Sequence, residues 1–256
     1  MLVFHDDFLG YSYKYWREEF SSSDNIKDFE KALLTKPDDW YYRTAKILYQ
    51  RNAHGHRCKD LKNIDLDNYF LVTGCSLTEG IGLELEKTYP YLLSEKFNCD
   101  YYNLGLAGTG LDVIMHNLII WFAKVKKKPK FVVIQVPTMA RFTVVLHDQD
   151  PLYTQTKKII NTPCTITSSY NVSLVENFIV SGEMLKFFTS RYVYARIQYN
   201  SFIDVPIIEI HSEKPAQDGT NEVEFPFKDE ARDSHPGIIS NYLLADKISS
   251  MLGGSI

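Results

Sequence analysis

Three short stretches of the 256-residue chain carry the residue types that serine chemistry needs. The first is Tyr69–Leu83 (YFLVTGCSLTEGIGL), where an apolar run from Tyr69 to Thr73 gives way to Gly74-Cys75-Ser76. Residues of strand propensity, then a small-residue turn, then a helix opening at Leu77-Thr78-Glu79-Gly80, expose a serine at the carboxyl end of a sheet. Its hydroxyl lies beside the N–H groups and positive dipole of a helix start. The second stretch is Asn103–Gly110 (NLGLAGTG) and the third is Ala231–Gly237 (ARDSHPG). A serine nucleophile requires a base for its proton, a carboxylate to orient the base's imidazole, and N–H donors facing the developing oxyanion. The first stretch offers the serine, the second a glycine-rich backbone, the third an acid and a histidine. A Gly-x-Ser turn taken alone is most often just a turn, and it is the combination that carries the reading.

Other side chains compete for attention. Cys75 stands at the same helix start, a position that lowers a thiol's pKa, but neighbouring side chains on a turn point apart. His54 and His56 form a His-x-His pair with no third histidine or carboxylate ligand beside it in the pattern of a metal site, so a polar loop is the expected reading. His116 falls within an apolar helix pattern and is expected to pack or face solvent, whereas His211 follows a strand and is a candidate to line the site. Arg141, Trp40 and the tyrosines of Tyr192–Tyr199 are candidates to shape a cleft. The basic connector Lys124–Lys130 (KVKKKPK) is read as a solvated loop.

The elements that must position these residues alternate between strand and helix. Strands are expected at Tyr69–Thr73, Asp100–Leu104, Phe131–Val136 and Val205–Ile210. Helices are expected from about Thr88 to Phe97, with Thr88 near the cap and Pro90 in the first turn, at Leu111–Val125 and at Ile238–Leu252. A short helix over Asn25–Thr35 would be capped by Ser23 or Asp24. Another helix is expected near Leu174–Phe188. This order predicts a three-layer α/β/α sandwich with a mainly parallel sheet, whose active site lies beyond the carboxyl ends of its strands. Residues 1–60 read as an N-terminal extension packed on the main domain. Residues 61–256 form that domain, with an inserted segment at about 147–202.

Composition sets outer bounds. With 45% hydrophobic and 23% charged residues the chain can build a full core without staples. A net charge of −4 gives no electrostatic case for nucleic-acid binding. The four cysteines show no C-x-x-C spacing and read as free thiols of a reducing compartment. No signal peptide or membrane span is visible, so a cytoplasmic location is expected.

Taken together, the three stretches resemble the SGNH (GDSL-like) hydrolase superfamily, whose blocks occur in this order. GCSLTEGIGL resembles the first block, G-D-S-x-T-x-G, with Cys75 in place of the usual Asp; NLGLAGTG resembles the second and ARDSHPG the last. The upstream RNAHGHRCKD is similar to an Asn-x-x-Gly-x-Arg segment found before the first block in some members. The resemblance spans about Asn52 to Leu252, although only about 30 residues carry the motifs. It implies a flavodoxin-like sheet and hydrolysis of small acyl esters of the acetyl type, on a small molecule or a glycan, with no metal or organic cofactor. It also implies Ser76 as nucleophile, His235 as base and the Ser76 and Gly108 backbone as oxyanion hole. Two departures stand out. The third block, G-x-N-D, is absent after the central strand, which leaves Gln135 or Thr138 to replace its asparagine donor. The acid three residues before the histidine is replaced by Arg232, so Asp233 is the available carboxylate, with Asp229 and Glu230 as weaker substitutes. These departures leave two alternatives open: a catalytically degraded carbohydrate-binding or structural module on the same fold, and an O-acyltransferase. The oligomeric state is not legible in the sequence.

Overall fold

The structure is a computed structural model that describes residues 2–11, 17–21, 24–137, 142–143, 165–166, 182–211 and 221–253. Its centre is a five-stranded sheet made of β5 (Tyr69–Thr73), β6 (Asp100–Asn103), β7 (Val132–Val136), β10 (Ile207–His211) and β11 (Glu222–Glu224). The spatial order is β11-β10-β7-β5-β6, and each neighbouring pair is parallel. Counted along the chain this is the 2-1-3-4-5 order of flavodoxin-like sheets, and it reverses direction at β5, between β6 and β7. Ser76 follows β5 directly.

Both faces of the sheet are covered, which explains why its strands read as continuous apolar runs. Alternate residues project to opposite faces. Phe70, Val72 and Val133 pack with Leu92 and Leu93 of α3 (Tyr89–Phe97) and with Leu244, Ile248 and Leu252 of the C-terminal helix Ile238–Leu252. Tyr69, Leu71, Val132 and Ile134 pack with Ile114, Leu118 and Trp121 of α4 (Leu111–Lys124). Ala195 and Tyr199 of α5 (Gly182–Phe202) join this second layer. The C-terminal helix is α6. The fold is a three-layer α/β/α sandwich with a parallel, flavodoxin-like sheet, as the alternation of elements predicts.

Small antiparallel pairs lie outside the sheet. β1 (Leu2–His5) pairs with β2 (Phe8–Tyr11), β3 (Arg17–Glu18) with β4 (Tyr49–Gln50), and β8 (Phe142–Thr143) with β9 (Thr165–Ile166). Most of the segment read as an insertion lies outside the described residues. Its last part is α5, which runs further than the helix expected near Leu174–Phe188; residues 174–181 of that expectation lie outside the described residues. Beyond Phe188 the apolar period of α5 is broken because Tyr192, Arg196 and Tyr199 face the sheet to hold a buried carboxylate.

The first helix, α1 (Ile26–Thr35), is capped by Asn25, whose side chain accepts from the Asp28 N–H at 3.0 Å, and not by Ser23 or Asp24. Ser23 lies outside the described residues. Asp24 is unavailable because it is buried and engaged elsewhere: it accepts from Tyr49 Oη at 2.5 Å and pairs with Arg232 at 2.6 Å. Among the described residues no helix is long and apolar enough to cross a membrane.

Candidate active site

The serine sits on a turn that depends on close packing. α2 is only Ser76–Glu79, with Cys75 before it and Gly80 closing it in a left-handed conformation. The Gly80 N–H donates to Ser76 O at 3.0 Å. A Cβ on Gly74 would lie 2.2 Å from Thr78 Oγ1 and 2.7 Å from Gln135 Cβ, so the approach of β7 to the turn requires glycine. Across this contact the Cys75 N–H donates to Gln135 Oε1 at 2.8 Å.

Asp233 and His235 arrive on a tight loop ahead of α6. The loop is closed by an antiparallel bridge between Glu230 and Pro236 and by hydrogen bonds from Ala231 N to His235 O at 2.6 Å and from Gly237 N to Asp229 O at 2.8 Å. Between the acid and the base, Ser234 adopts φ +72°, in the left-handed region. That single reversal turns Asp233 and His235, only two residues apart, toward one another. His235 Nδ1 is 2.8 Å from Asp233 Oδ2, and His235 Nε2 is 2.8 Å from Ser76 Oγ. Asp233 is 3% exposed and His235 26%, so the imidazole is reachable from solvent while its orienting carboxylate is not. The loop can close on the serine turn because of Gly82, at φ +79°: a Cβ there would meet Asp233 Oδ1 at 2.3 Å.

The neighbouring acids have other partners. Asp229 accepts from the Ile239 and Ser240 N–H groups at 2.9 and 2.8 Å and so caps α6. Glu230 pairs with Lys36 at 2.8 Å on the surface. Arg232, where the resemblance places an acid, points away into the ion pair with Asp24 and stacks over Phe20, 4.4 Å from its ring centroid.

The glycine-rich stretch follows β6 and is tied to the serine turn. Leu106 N donates to Gly74 O at 3.1 Å, Asn103 Nδ2 donates to Thr78 O at 2.8 Å, and Gly105 N donates to Asn103 Oδ1 at 2.8 Å. Gly108 lies within this loop. Gln135 is fully buried; its oxygen accepts from Cys75 N and its Nε2 donates to Val136 O at 3.0 Å, so its amide serves the serine turn from beneath. Thr138 and Arg141 lie outside the described residues.

The upstream motif acts as a frame. Asn52 Oδ1 accepts from His54 N and His56 N, and its Nδ2 donates to Lys59 O and Tyr102 Oη. Arg57 is buried and donates to the carbonyls of Leu48, Glu79, Gly80 and Leu83, with its guanidinium 4.5 Å above the Tyr49 ring. Burial pushes its pKa down, with the Tyr49 and Glu79 groups opposing. His56 occupies both ring nitrogens with Tyr102 Oη and Leu9 O, and His54 Nδ1 lies 3.3 Å from Tyr102 Oη. His116 Nε2 meets Asp7 O at 2.8 Å. Cys75 is buried, with its sulfur 3.8 Å from Ser76 Oγ. Tyr42 packs in the cluster that holds Ala231, and Trp40 and Ala107 pack against that cluster.

One further polar cluster lies between α5 and the sheet. Glu209, His211 and Glu222 have ligand atoms within 4.8 Å of one another, the one such group among the described residues. Arg196 pairs with Glu209 at 3.1 Å and Glu222 at 2.8 Å, so a guanidinium already supplies the positive charge between the two carboxylates. Burial alone would raise the pKa of Glu209. Hydrogen bonds from His211, Tyr192 and Tyr199, together with the Arg196 charge, outweigh it and hold Glu209 below its ordinary value.

No protein-family model matches the sequence, and no curated protein matches it. Among solved structures, a carbohydrate esterase family 2 enzyme from Corynascus thermopiles (Myceliophthora fergusii) is similar at 16% identity and a TM-score of 0.40, over 73% of this chain and 67% of that one. An acetyl xylan esterase (Est2A) from Butyrivibrio proteoclasticus matches at 12% identity and a TM-score of 0.42, over 74% of this chain and 65% of that one. A putative lipolytic protein of the G-D-S-L family from Desulfitobacterium hafniense matches at 17% identity and a TM-score of 0.36, over 72% of this chain and 99% of that one. The chain therefore spans about two thirds of the length of the two esterases. At these scores the likeness adds nothing to the strand order and the three motif blocks, which carry the resemblance by themselves.

The signals missed in the sequence are the buried charges around the serine. Glu79, in the middle of an otherwise apolar and small-residue stretch, is 1% exposed and pairs with Arg51 at 2.6 Å. A lone acid in such a run is the signal that could have flagged it.

Proposed function

We propose that the protein is a serine ester hydrolase acting through Ser76, His235 and Asp233. The observation that carries this reading is the continuous pair of 2.8 Å contacts from Asp233 Oδ2 to His235 Nδ1 and from His235 Nε2 to Ser76 Oγ. Ser76 Oγ attacks the acyl carbon as its proton passes to His235 Nε2. Asp233 holds the Nδ1–H tautomer and stabilises the imidazolium. The carbonyl oxygen takes up the negative charge facing the backbone N–H groups of Ser76 and Gly108. The C–O bond to the alcohol then breaks, and the alcohol leaves with the proton from Nε2. Water, deprotonated by the same nitrogen, attacks the acyl-enzyme, and the acid departs with Ser76 restored. The steps call for no metal or organic cofactor.

The motif resemblance favours small acyl groups of the acetyl type as substrates, on a small molecule or a glycan. Residues 1–60 are read as an extension of a 61–256 unit, since Asp24, Arg51 and Arg57 hold their partners at Arg232, Glu79 and Gly80. The four cysteines show no C-x-x-C spacing, which favours a reducing, cytoplasmic setting.

One observation favours the alternative of a catalytically degraded module on the same fold: the Gln135 amide is engaged by Cys75 and Val136, and an oxyanion hole one donor short loses about 10²–10³ in rate. An O-acyltransferase would use the same acyl-enzyme, with an acceptor hydroxyl replacing water.

The test is labelling with a fluorophosphonate probe, with the adduct located by peptide mass, beside p-nitrophenyl acetate turnover. Labelling at Ser76 is expected, with turnover falling by about 10³ or more in Ser76→Ala and His235→Ala. Wild-type turnover no higher than that of Ser76→Ala, with no adduct, sinks the esterase reading and leaves the binding module. Turnover that requires an added sugar hydroxyl identifies the transferase.

A further inference from the structure

The serine turn carries a carboxylate that serine chemistry by itself does not require. Glu79 is one helical turn after Ser76, and its backbone N–H donates to Cys75 O at 2.9 Å, so it is rigidly part of the turn that presents the nucleophile. Its side chain leaves that turn and bridges to the glycine-rich loop, where Oε2 accepts from the Ala107 N–H at 2.6 Å. Ala107 directly precedes Gly108. The same carboxylate accepts from Arg51 Nη2 at 2.6 Å and from Tyr11 Oη at 3.0 Å. The Arg51 guanidinium lies 4.2 Å from the centroid of the Tyr11 ring, so these two partners also hold one another. Three donors thus converge on one buried carboxylate: two come from the N-terminal segment and one from the peptide next to Gly108.

A buried charge is costly unless it is paired and hydrogen-bonded, and a carboxylate held by three donors is a stiff joint. Two backbone N–H groups act as oxyanion donors in the proposed reaction. One, at Ser76, belongs to the turn that carries Glu79; the other, at Gly108, belongs to the loop that Glu79 grips. We propose that Glu79 is a positioning residue that sets the spacing between the Ser76 and Gly108 donors, with Arg51 and Tyr11 of the N-terminal segment locking it in place. This rests on the ester-hydrolase reading. It makes the segment before residue 60 a working part of the site, because the donor geometry passes through Tyr11 and Arg51.

Glu79→Gln tests it. An amide offers one acceptor oxygen where the carboxylate offers two, so the three donors cannot all be satisfied. Tyr11→Phe is the milder companion: it removes one donor and keeps the ring over Arg51. In p-nitrophenyl acetate turnover, Glu79→Gln is expected to lower kcat by about 10- to 100-fold, within the range of losing one oxyanion donor, with KM unchanged. Tyr11→Phe is expected to lower kcat by about 2- to 5-fold, again without moving KM. Amide hydrogen exchange at Ala107 and Gly108 is expected to speed up in both variants, more in Glu79→Gln. Wild-type kcat and unchanged exchange in both variants overturn the proposal, as does a loss confined to KM. Should Glu79→Gln fail to fold, Tyr11→Phe decides the matter by the same two readings. Absence of ester turnover in the wild-type protein counts against the esterase reading alone; exchange at Ala107 and Gly108 then supports or overturns the role of Glu79 in holding that loop.

Discussion

The two halves of the candidate triad are built in opposite ways. The serine half is a short turn gripped from all sides by residues distant in sequence: Gln135 from the central strand, Arg57 from below, and Glu79 reaching to Ala107. The histidine half is a loop closed mostly on itself, by the Glu230–Pro236 bridge and one left-handed serine, and anchored at Arg232 by Asp24. The difference teaches where each half is vulnerable. The serine turn depends on long-range packing and cannot be altered without disturbing its neighbours. The histidine loop depends on local conformation, and its roles separate cleanly residue by residue.

The sharpest way to break this comparison is within the loop itself. Asp233→Asn is expected to lower kcat by about 10⁴ with little change in thermal midpoint, because the carboxylate no longer fixes the imidazole tautomer. Steady-state kinetics with a melting curve measures both. Retained activity in Asp233→Asn would remove Asp233 from the triad. Next in size is Gly82→Ala, at the seam between the halves. A Cβ there collides with Asp233 and the φ is positive, so a destabilisation of about 2 kcal/mol is expected, together with a kcat loss. Urea unfolding checks the first and turnover the second. Asp229→Ala should separate structure from chemistry: a loss of about 1 kcal/mol from an uncapped α6, with kcat within about 3-fold of wild type. A large kcat loss in this variant would make Asp229 part of the acid–base machinery.

The strand and helix alternation made the architecture legible, because parallel strands buried on both faces leave continuous apolar runs and their covering helices leave a 3.6-residue period. The α6 limits, Ile238 and Leu252, stand where the pattern places them. The Asp-x-His spacing departs from the pattern of the resemblance, and one backbone reversal at Ser234 turns Asp233 toward His235; no pattern of residue types encodes a positive φ at a serine. The Asn52–Arg57 segment that frames Ser76 was visible through the resemblance, but its contacts were illegible for a different reason. Arg57 binds four backbone carbonyls, and backbone carbonyls leave no mark in a sequence. Asp24 looked like a helix cap because its partner, Arg232, is 208 residues away.

Two smaller effects sharpen the contrast between local and long-range design. Glu209, held below its ordinary pKa, contributes stability that is present above about pH 4.5 and is lost as pH falls through its depressed value. Glu209→Gln should therefore be less stable than wild type near neutral pH, and the gap in urea midpoint should shrink as pH falls below about 4.5. A gap that stays constant with pH would show that the carboxylate's charge is not what matters there. Smallest is Ser234→Gly, which relieves a left-handed non-glycine residue and should change stability by no more than about 1 kcal/mol while keeping kcat near wild type.

The contact between Ser76 and His235 joins residues 159 positions apart in the chain. The Ser76 turn and its frame draw on residues up to Gln135, yet His235 is delivered on the loop that leads into the last helix. In the proposed reaction, reactivity at Ser76 is therefore a gauge of closure of the whole sandwich. A chain whose α6 has come away from the sheet would part Ser76 from His235, so under the proposed mechanism a covalent probe of that one hydroxyl would count only those molecules in which both ends of the fold have met.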